Sequence, residues 1–179
     1  MLRHSSSEQR AREIGHSRGP VRGSERYQNA GIYSRSGKRV AIVAVKDCSI
    51  DRIFRDRNVA YFSEKYDPEV GQRCKSLLET GNFDFILAYQ QEYDDTMHAT
   101  TPFDQRAIQA ADRHIRYFSE ICDSFDRNWK NVDRAILFAP DHGAHLDPVS
   151  KKGTHGSDAE EDMCLYHYYG FRKGNQRPA

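Results

Sequence analysis

Arg39-Val40-Ala41-Ile42-Val43-Ala44-Val45-Lys46 is the stretch on which the fold of this chain turns. Six consecutive apolar residues stand between two cations, and four of the six are Val or Ile. The run is too short for an ordinary helix and lacks polar alternation. It therefore reads as a strand buried on both faces, as in a parallel sheet. Phe83 to Tyr89 and Arg134 to Ala139 read the same way, the latter as another buried strand, and Cys164 to Tyr169 reads as a last one. Helical patterns lie between them. Asp51 to Phe54 is a short candidate with Ser49 as its N-cap. Pro68 to Thr80 has Pro in its first turn, Asp67 as cap and Gly81 as stop. From Asp104 to Arg127, the residues Ile108, Ala111, Ile115, Phe118, Cys122 and Phe125 recur at three- and four-residue steps and form one apolar stripe. Strands alternating with helices predict an α/β domain with a mostly parallel sheet flanked by helices.

Composition sets the frame for function. The chain has 179 residues, about one domain by length. Residues 1–36 are rich in Arg, Ser and Gly and read as a poorly ordered polar tail, residues 37–172 as the domain, and residues 173–179 as a C-terminal tail. The net charge of +1 gives no electrostatic case for nucleic acid or an anionic membrane. No apolar run approaches the ~20 residues of a membrane span, and the N-terminus carries no apolar signal core. The four cysteines form no C-x-x-C pair, which suits free thiols in a reducing cytoplasm.

The chemistry gathers where strands end. Asp94 and His98 lie in a long polar loop, Gln90 to Pro102, and their four-residue spacing puts both side chains on one side of a helical turn. Asp141-His142-Gly143 follows the Arg134 run, and Gly143 lets the chain turn and approach a ligand closely. His155 stands between glycines, and His145 reads as a supporting or surface histidine. Each has an ordinary alternative: polar loop residues for Asp94 and His98, a cap or Asp-stabilised turn for Asp141, an exposed loop residue for His155. In α/β sheets, however, ligands bind beyond the carboxyl ends of the strands, where these residues fall. Carboxylate oxygens and imidazole nitrogens in such a cluster suit Zn²⁺ or Mn²⁺ and point to a metal-dependent hydrolase.

From Lys38 to Phe171 the order of motifs resembles the alkaline phosphatase superfamily, in particular its type I phosphodiesterase/nucleotide pyrophosphatase branch. The resemblance rests on Tyr-x-x-Glu-Tyr-Asp-x-x-x-His-x-x-x-Pro from Tyr89 to Pro102, on the long helix after it, and on Asp141-His142-Gly143. It also rests on the ending Gly-x-His-Gly-x-Asp…Asp-Met…Tyr-Gly from Gly153 to Gly170. It implies an alkaline-phosphatase-like α/β sandwich and two metal ions, commonly zinc. Asp94, His98 and His155 would hold one ion, and Asp141 and His142 would belong to the other. The substrate would be a phosphate ester or a nucleotide, cleaved by in-line phosphoryl transfer. The family's Thr or Ser nucleophile and first metal-binding Asp precede the region matched here. The resemblance therefore implies that this N-terminal part is missing, with three explanations open: the chain is a C-terminal piece of a split or truncated gene, it pairs with a separate N-terminal chain that supplies the nucleophile, or it is a degenerate metal-binding remnant. Asp47, after the Arg39 run, imitates that first Asp weakly, and Ser49 has no nucleophile setting. The competing expectation is a non-catalytic metal-binding or interaction module derived from the same family.

Overall fold

The computed structural model describes residues 37–175; the tail over residues 1–36 and the last four residues lie outside the described residues. The elements run β1 (Val40–Val45), α1 (Ser49–Phe54), β2 (Ala60–Glu64), α2 (Asp67–Thr80), β3 (Phe85–Tyr89), α3 (Glu92–Ala99), α4 (Gln105–Asn128), β4 (Arg134–Phe138), β5 (His145–Leu146), β6 (Gly153–Thr154), α5 (Glu160–Met163) and β7 (Tyr168–Arg172).

Strand β1 is the centre of a three-stranded parallel sheet in the order β2-β1-β3. All six of its residues are buried, as its unbroken apolar run predicts. Val43 lies opposite Phe62 on one side and Ala88 on the other. Its valines pack with Val70 and Leu77 from α2. Each such aliphatic side chain removed from water is worth about 2 kcal/mol. Helix α2 carries the chain from β2 across to β3, so the strand order reverses direction between β1 and β3. In an α/β sheet that reversal opens a crevice at the carboxyl ends of the two strands.

Strand β2 escapes the sequence reading because Ala60-Tyr61-Phe62-Ser63-Glu64 mixes polar and apolar residues. Its pairing with β1, rather than its own pattern, makes it a strand. At α1, Cys48 replaces Ser49 as N-cap: the Cys48 Sγ accepts the Asp51 N–H at 3.3 Å, and Ser49 is already helical. Tyr66, not Asp67, precedes α2 and makes no side-chain cap. Gly81 does stop that helix in the left-handed conformation, φ 62°.

The last part of the chain departs further from expectation. Strand β4 is not buried inside the parallel sheet. Among the described residues it is hydrogen-bonded only to β7, antiparallel, with Ile136 opposite Gly170. A continuous apolar run does not distinguish an interior strand from an edge strand, since only a neighbour on each side makes the difference. The inner side of β4 still packs: Ile136 joins Cys74, Leu78 and Phe125, and the Phe118 and Phe138 rings lie 5.0 Å apart. Leu137 points away and is 58 % exposed. β7 starts four residues later than the Cys164 run suggests.

The stripe on α4 is also only partly correct. Asp104 caps the helix through the Arg106 N–H, and Ala107, Ala110, Ser124 and Phe125 are its buried residues. Ile108 and Ile115 face outward, Ile115 with 59 % exposure. The helix thus turns a small-residue face, which permits close approach, toward its neighbours. No helix among the described residues is long and apolar enough to cross a membrane.

Two outcomes follow from this packing. Ile42→Ala, at a position only 2 % exposed, lowers the unfolding free energy by about 3 kcal/mol. Ile115→Ala changes it by no more than about 0.5 kcal/mol. Urea denaturation of the two variants reads the difference, and equal losses would contradict the burial described. Burial also pushes the Cys74 thiol up to about 12, so at pH 8 only about one molecule in ten thousand carries the reactive thiolate. Iodoacetamide on the native chain therefore labels exposed Cys164 and leaves buried Cys74 unmodified, as peptide mass mapping would show.

Candidate metal centre

The segment after β3 is not a loop. Residues Glu92–Ala99 form α3, and this helix places Asp94 and His98 one turn apart on the same side. Its start is held from outside. The buried carboxylate of Asp67 accepts the backbone N–H groups of Gln91 and Glu92, each at 2.9 Å, and a third bond from His114 Nε2 at 2.6 Å. Asp67 thus caps a helix that begins 25 residues later than itself. Glu92 is taken up by a bidentate pair with Arg113 on α4, at 2.6 and 2.9 Å. Asp67, Glu92 and His114 lie close enough to hold an ion. Their oxygens, however, are occupied by these donors, and the trio is a structural anchor for α3.

The second cluster is of a different kind. Asp94 Oδ1 has three imidazole Nε2 atoms around it: His155 at 3.3 Å, His98 at 3.4 Å and His142 at 3.9 Å. The His142 and His155 rings stack with centroids 3.7 Å apart, and His98 lies 4.9 Å from His155. Three elements meet here: α3, the turn after β4 and the turn after β6. The sequence groups His142 with Asp141, whereas the structure brings it equally to Asp94. Asp141 is the outlying member. Its side chain is 61 % exposed, 3.8 Å from His142 Nε2, and its Oδ2 accepts the Tyr89 hydroxyl at 3.3 Å. Burial and the Asp141 charge push Tyr89 up to about 12, so it remains a hydrogen-bond donor across the physiological range.

Tautomers decide what the cluster can do. His98 Nδ1 lies 3.0 Å from the Gly153 carbonyl, and His142 Nδ1 lies 2.9 Å from the Gly143 carbonyl. A carbonyl only accepts, so both Nδ1 atoms carry the proton in these bonds. Both Nε2 atoms then present bare lone pairs toward Asp94. Asp94 Oδ1 is itself buried and accepts no hydrogen bond from the described residues. Acceptors therefore face acceptors, an arrangement that costs free energy until a positive charge sits among them. Burial pushes His155 below the ordinary histidine range, and the neighbouring His142 and His98 act in the same direction against Asp94. That favours the neutral imidazole, the form that binds metal. Asp94, His98 and His155 offer ligand atoms mutually within 4.8 Å, close enough that one divalent ion could be held by all three.

Asp47 does not join them. Its carboxylate lies 3.3 Å from the Arg55 guanidinium, and its φ of 65° marks a tight turn out of β1. Gly143 makes a close approach, but to the chain itself: a Cβ there would stand 1.8 Å from the Glu161 carbonyl. The sequence reading gave Asp67 to the wrong helix, as cap of α2 rather than of α3, and gave Tyr89 and Asp162 no role of their own. Tyr89 and Asp162 lie inside the recognised motifs, and spacing alone assigns them no partner. Comparison of the chain with known protein families, with curated proteins and with solved structures finds no match.

Two measurements check this geometry. Asp94→Asn replaces a charged acceptor with a group that can donate to an imidazole lone pair, so it raises the stability of the metal-free chain by about 1 kcal/mol while weakening metal uptake. A loss of stability would contradict the clash of acceptors. Folded His155 releases its proton more readily than an unfolded histidine, so below pH ~6.5 the unfolded chain binds more protons. Stability of the metal-free chain accordingly falls as pH drops through that value, and His155→Gln flattens this part of the pH–stability curve.

Proposed function

We propose that this chain carries the metal-binding half of a phosphoric-ester hydrolase of the phosphodiesterase/nucleotide pyrophosphatase kind, with an alkaline-phosphatase-like sheet. The observation that carries the reading is the convergence of three imidazole nitrogens on the unpartnered Asp94 Oδ1, beside the crevice at the carboxyl ends of the parallel strands. Asp94, His98 and His155 hold a divalent ion, zinc or manganese. His142 and Asp141 lie next to it and provide part of a second site. When bound, such an ion supplies Lewis acidity toward a phosphoryl oxygen and toward the attacking oxygen. The backbone carbonyls of Gly153 and Gly143 keep His98 and His142 in the tautomer that leaves Nε2 available. Tyr89 keeps the Asp141 carboxylate oriented.

The substrate is a small phosphate ester or a nucleotide. Among the described residues no Ser or Thr hydroxyl hydrogen-bonds to Asp94, His98, Asp141, His142 or His155. We therefore assign the nucleophile to none of the described Ser or Thr residues. The same observation favours the second reading, a metal-binding module without catalysis. We place the protein in the cytoplasm, where its four free thiols would stay reduced.

Elemental mass spectrometry after zinc loading and dialysis is the test. About one ion per chain is expected, lost in His155→Ala, because deleting one of three protein ligands leaves the ion weakly held. Retention of zinc by His155→Ala would remove this site from consideration. Zinc binding without hydrolysis of bis(p-nitrophenyl) phosphate, even with a segment supplying the nucleophile, would leave the binding-module reading.

A further inference from the structure

Asp162 is a buried carboxylate, 2 % exposed, that the metal chemistry does not use. It sits in α5, and three segments converge on it. His145 Nδ1 donates to its Oδ1 at 2.8 Å. The Ser157 backbone N–H and hydroxyl both donate to its Oδ2 at 2.8 Å. Its own carbonyl accepts the Gly143 N–H at 3.0 Å. Gly143 adjoins His142 and Ser157 lies two residues beyond His155, so Asp162 anchors both turns that carry the stacked imidazoles. The bare Gly143 Cα is what allows the first turn to lie against the Glu161 carbonyl. The turns are otherwise tied by the two-residue pairing of His145 with Thr154 and Leu146 with Gly153, too short to fix side-chain directions by itself, and by bonds at their outer ends, from the Gly153 N–H to the Thr100 carbonyl at 3.2 Å and between His167 Nε2 and the Pro140 carbonyl at 3.1 Å.

We propose that Asp162, through His145, Ser157 and Gly143, is the positioning residue that sets the distance and orientation of His142 and His155 toward Asp94. The inference rests on the metal-centre reading above. The carboxylate is well suited to the role. It is held far below the usual carboxylate range, first by the His145 hydrogen bond, and therefore stays a charged acceptor for all three donors. Partners that orient ligands from behind typically govern metal affinity almost as strongly as the ligands. His145 thus takes a role distinct from ligation: its ring turns toward Asp162, away from competition for the ion.

Cobalt(II) loading of the full chain tests this, because the intensity and position of the visible d–d bands report coordination geometry. Asp162→Asn removes the charge with little change in volume. It is expected to weaken Co²⁺ binding by about 10–100-fold and to alter the bands. Ser157→Ala, which removes the hydroxyl bond to Asp162 and the one accepted from the Ala159 N–H but keeps the backbone bond to Asp162, is expected to shift both readouts in the same direction by less, and it serves if Asp162→Asn does not fold. Ile42→Ala, destabilised in the sheet away from these turns, is expected to keep the wild-type bands. A cobalt-loaded wild type whose affinity and spectrum survive both Asp162→Asn and Ser157→Ala would overturn the positioning role alone. A wild-type chain that takes up no cobalt would overturn the metal reading and this inference together.

Discussion

The carboxylate of Asp67 is 0 % exposed and receives two backbone N–H groups from the start of α3 and an imidazole from α4. Removing a charge from water costs several kcal/mol, and only a full set of donors offsets that cost. All three donors must therefore be in place together, which ties α2, α3 and α4 into one arrangement. Arg113, one residue before His114, reinforces it by clamping Glu92. The orientation of α3 against the sheet is a consequence of this anchor, and so are the places of Asp94 and His98. The site is built outward from a buried charge that takes no part in its chemistry.

A second buried carboxylate, Asp162, does the same for the turns that bring His142 and His155. The two anchors share a logic. Each gathers donors from segments far apart in sequence, and each leaves a neighbouring group exposed to a different demand. Between them lies Asp94, whose Oδ1 is buried without a donor. The contrast between these two satisfied carboxylates and the unsatisfied Asp94 is what marks the candidate site off from structural polarity. Composition treats the three alike; hydrogen bonding does not.

The exposed side of β4 and β7 belongs to the same account. Leu137, Tyr169 and Phe171 stand outward on a two-stranded ribbon that makes no ladder to the parallel sheet. Unpaired strand edges with apolar side chains favour association. The Asp141-His142 turn leaves shortly after β4, so whatever steadies that ribbon also steadies His142 in the candidate site.

Periodicity in the sequence determined the parallel core. The run from Val40 to Val45 is too short for an ordinary helix and rich in β-branched residues, so it reads as a buried strand, and β2 and β3 then give it its place at the centre of the sheet. Gly81 and Asp104 set helix ends through backbone chemistry that is local to them. The order of Asp94, His98, Asp141, His142 and His155 likewise marked residues of which the fold gathers Asp94, His98, His142 and His155. Tertiary structure alone decided the rest. β2 became a strand through its partner β1, β4 remained an edge for want of a second neighbour, and α3 formed where a distant Asp67 capped it. His142 came to Asp94 as well as to Asp141. Each of these depends on contacts between residues remote in the chain, and such contacts leave no period or spacing in the sequence from which they could be read.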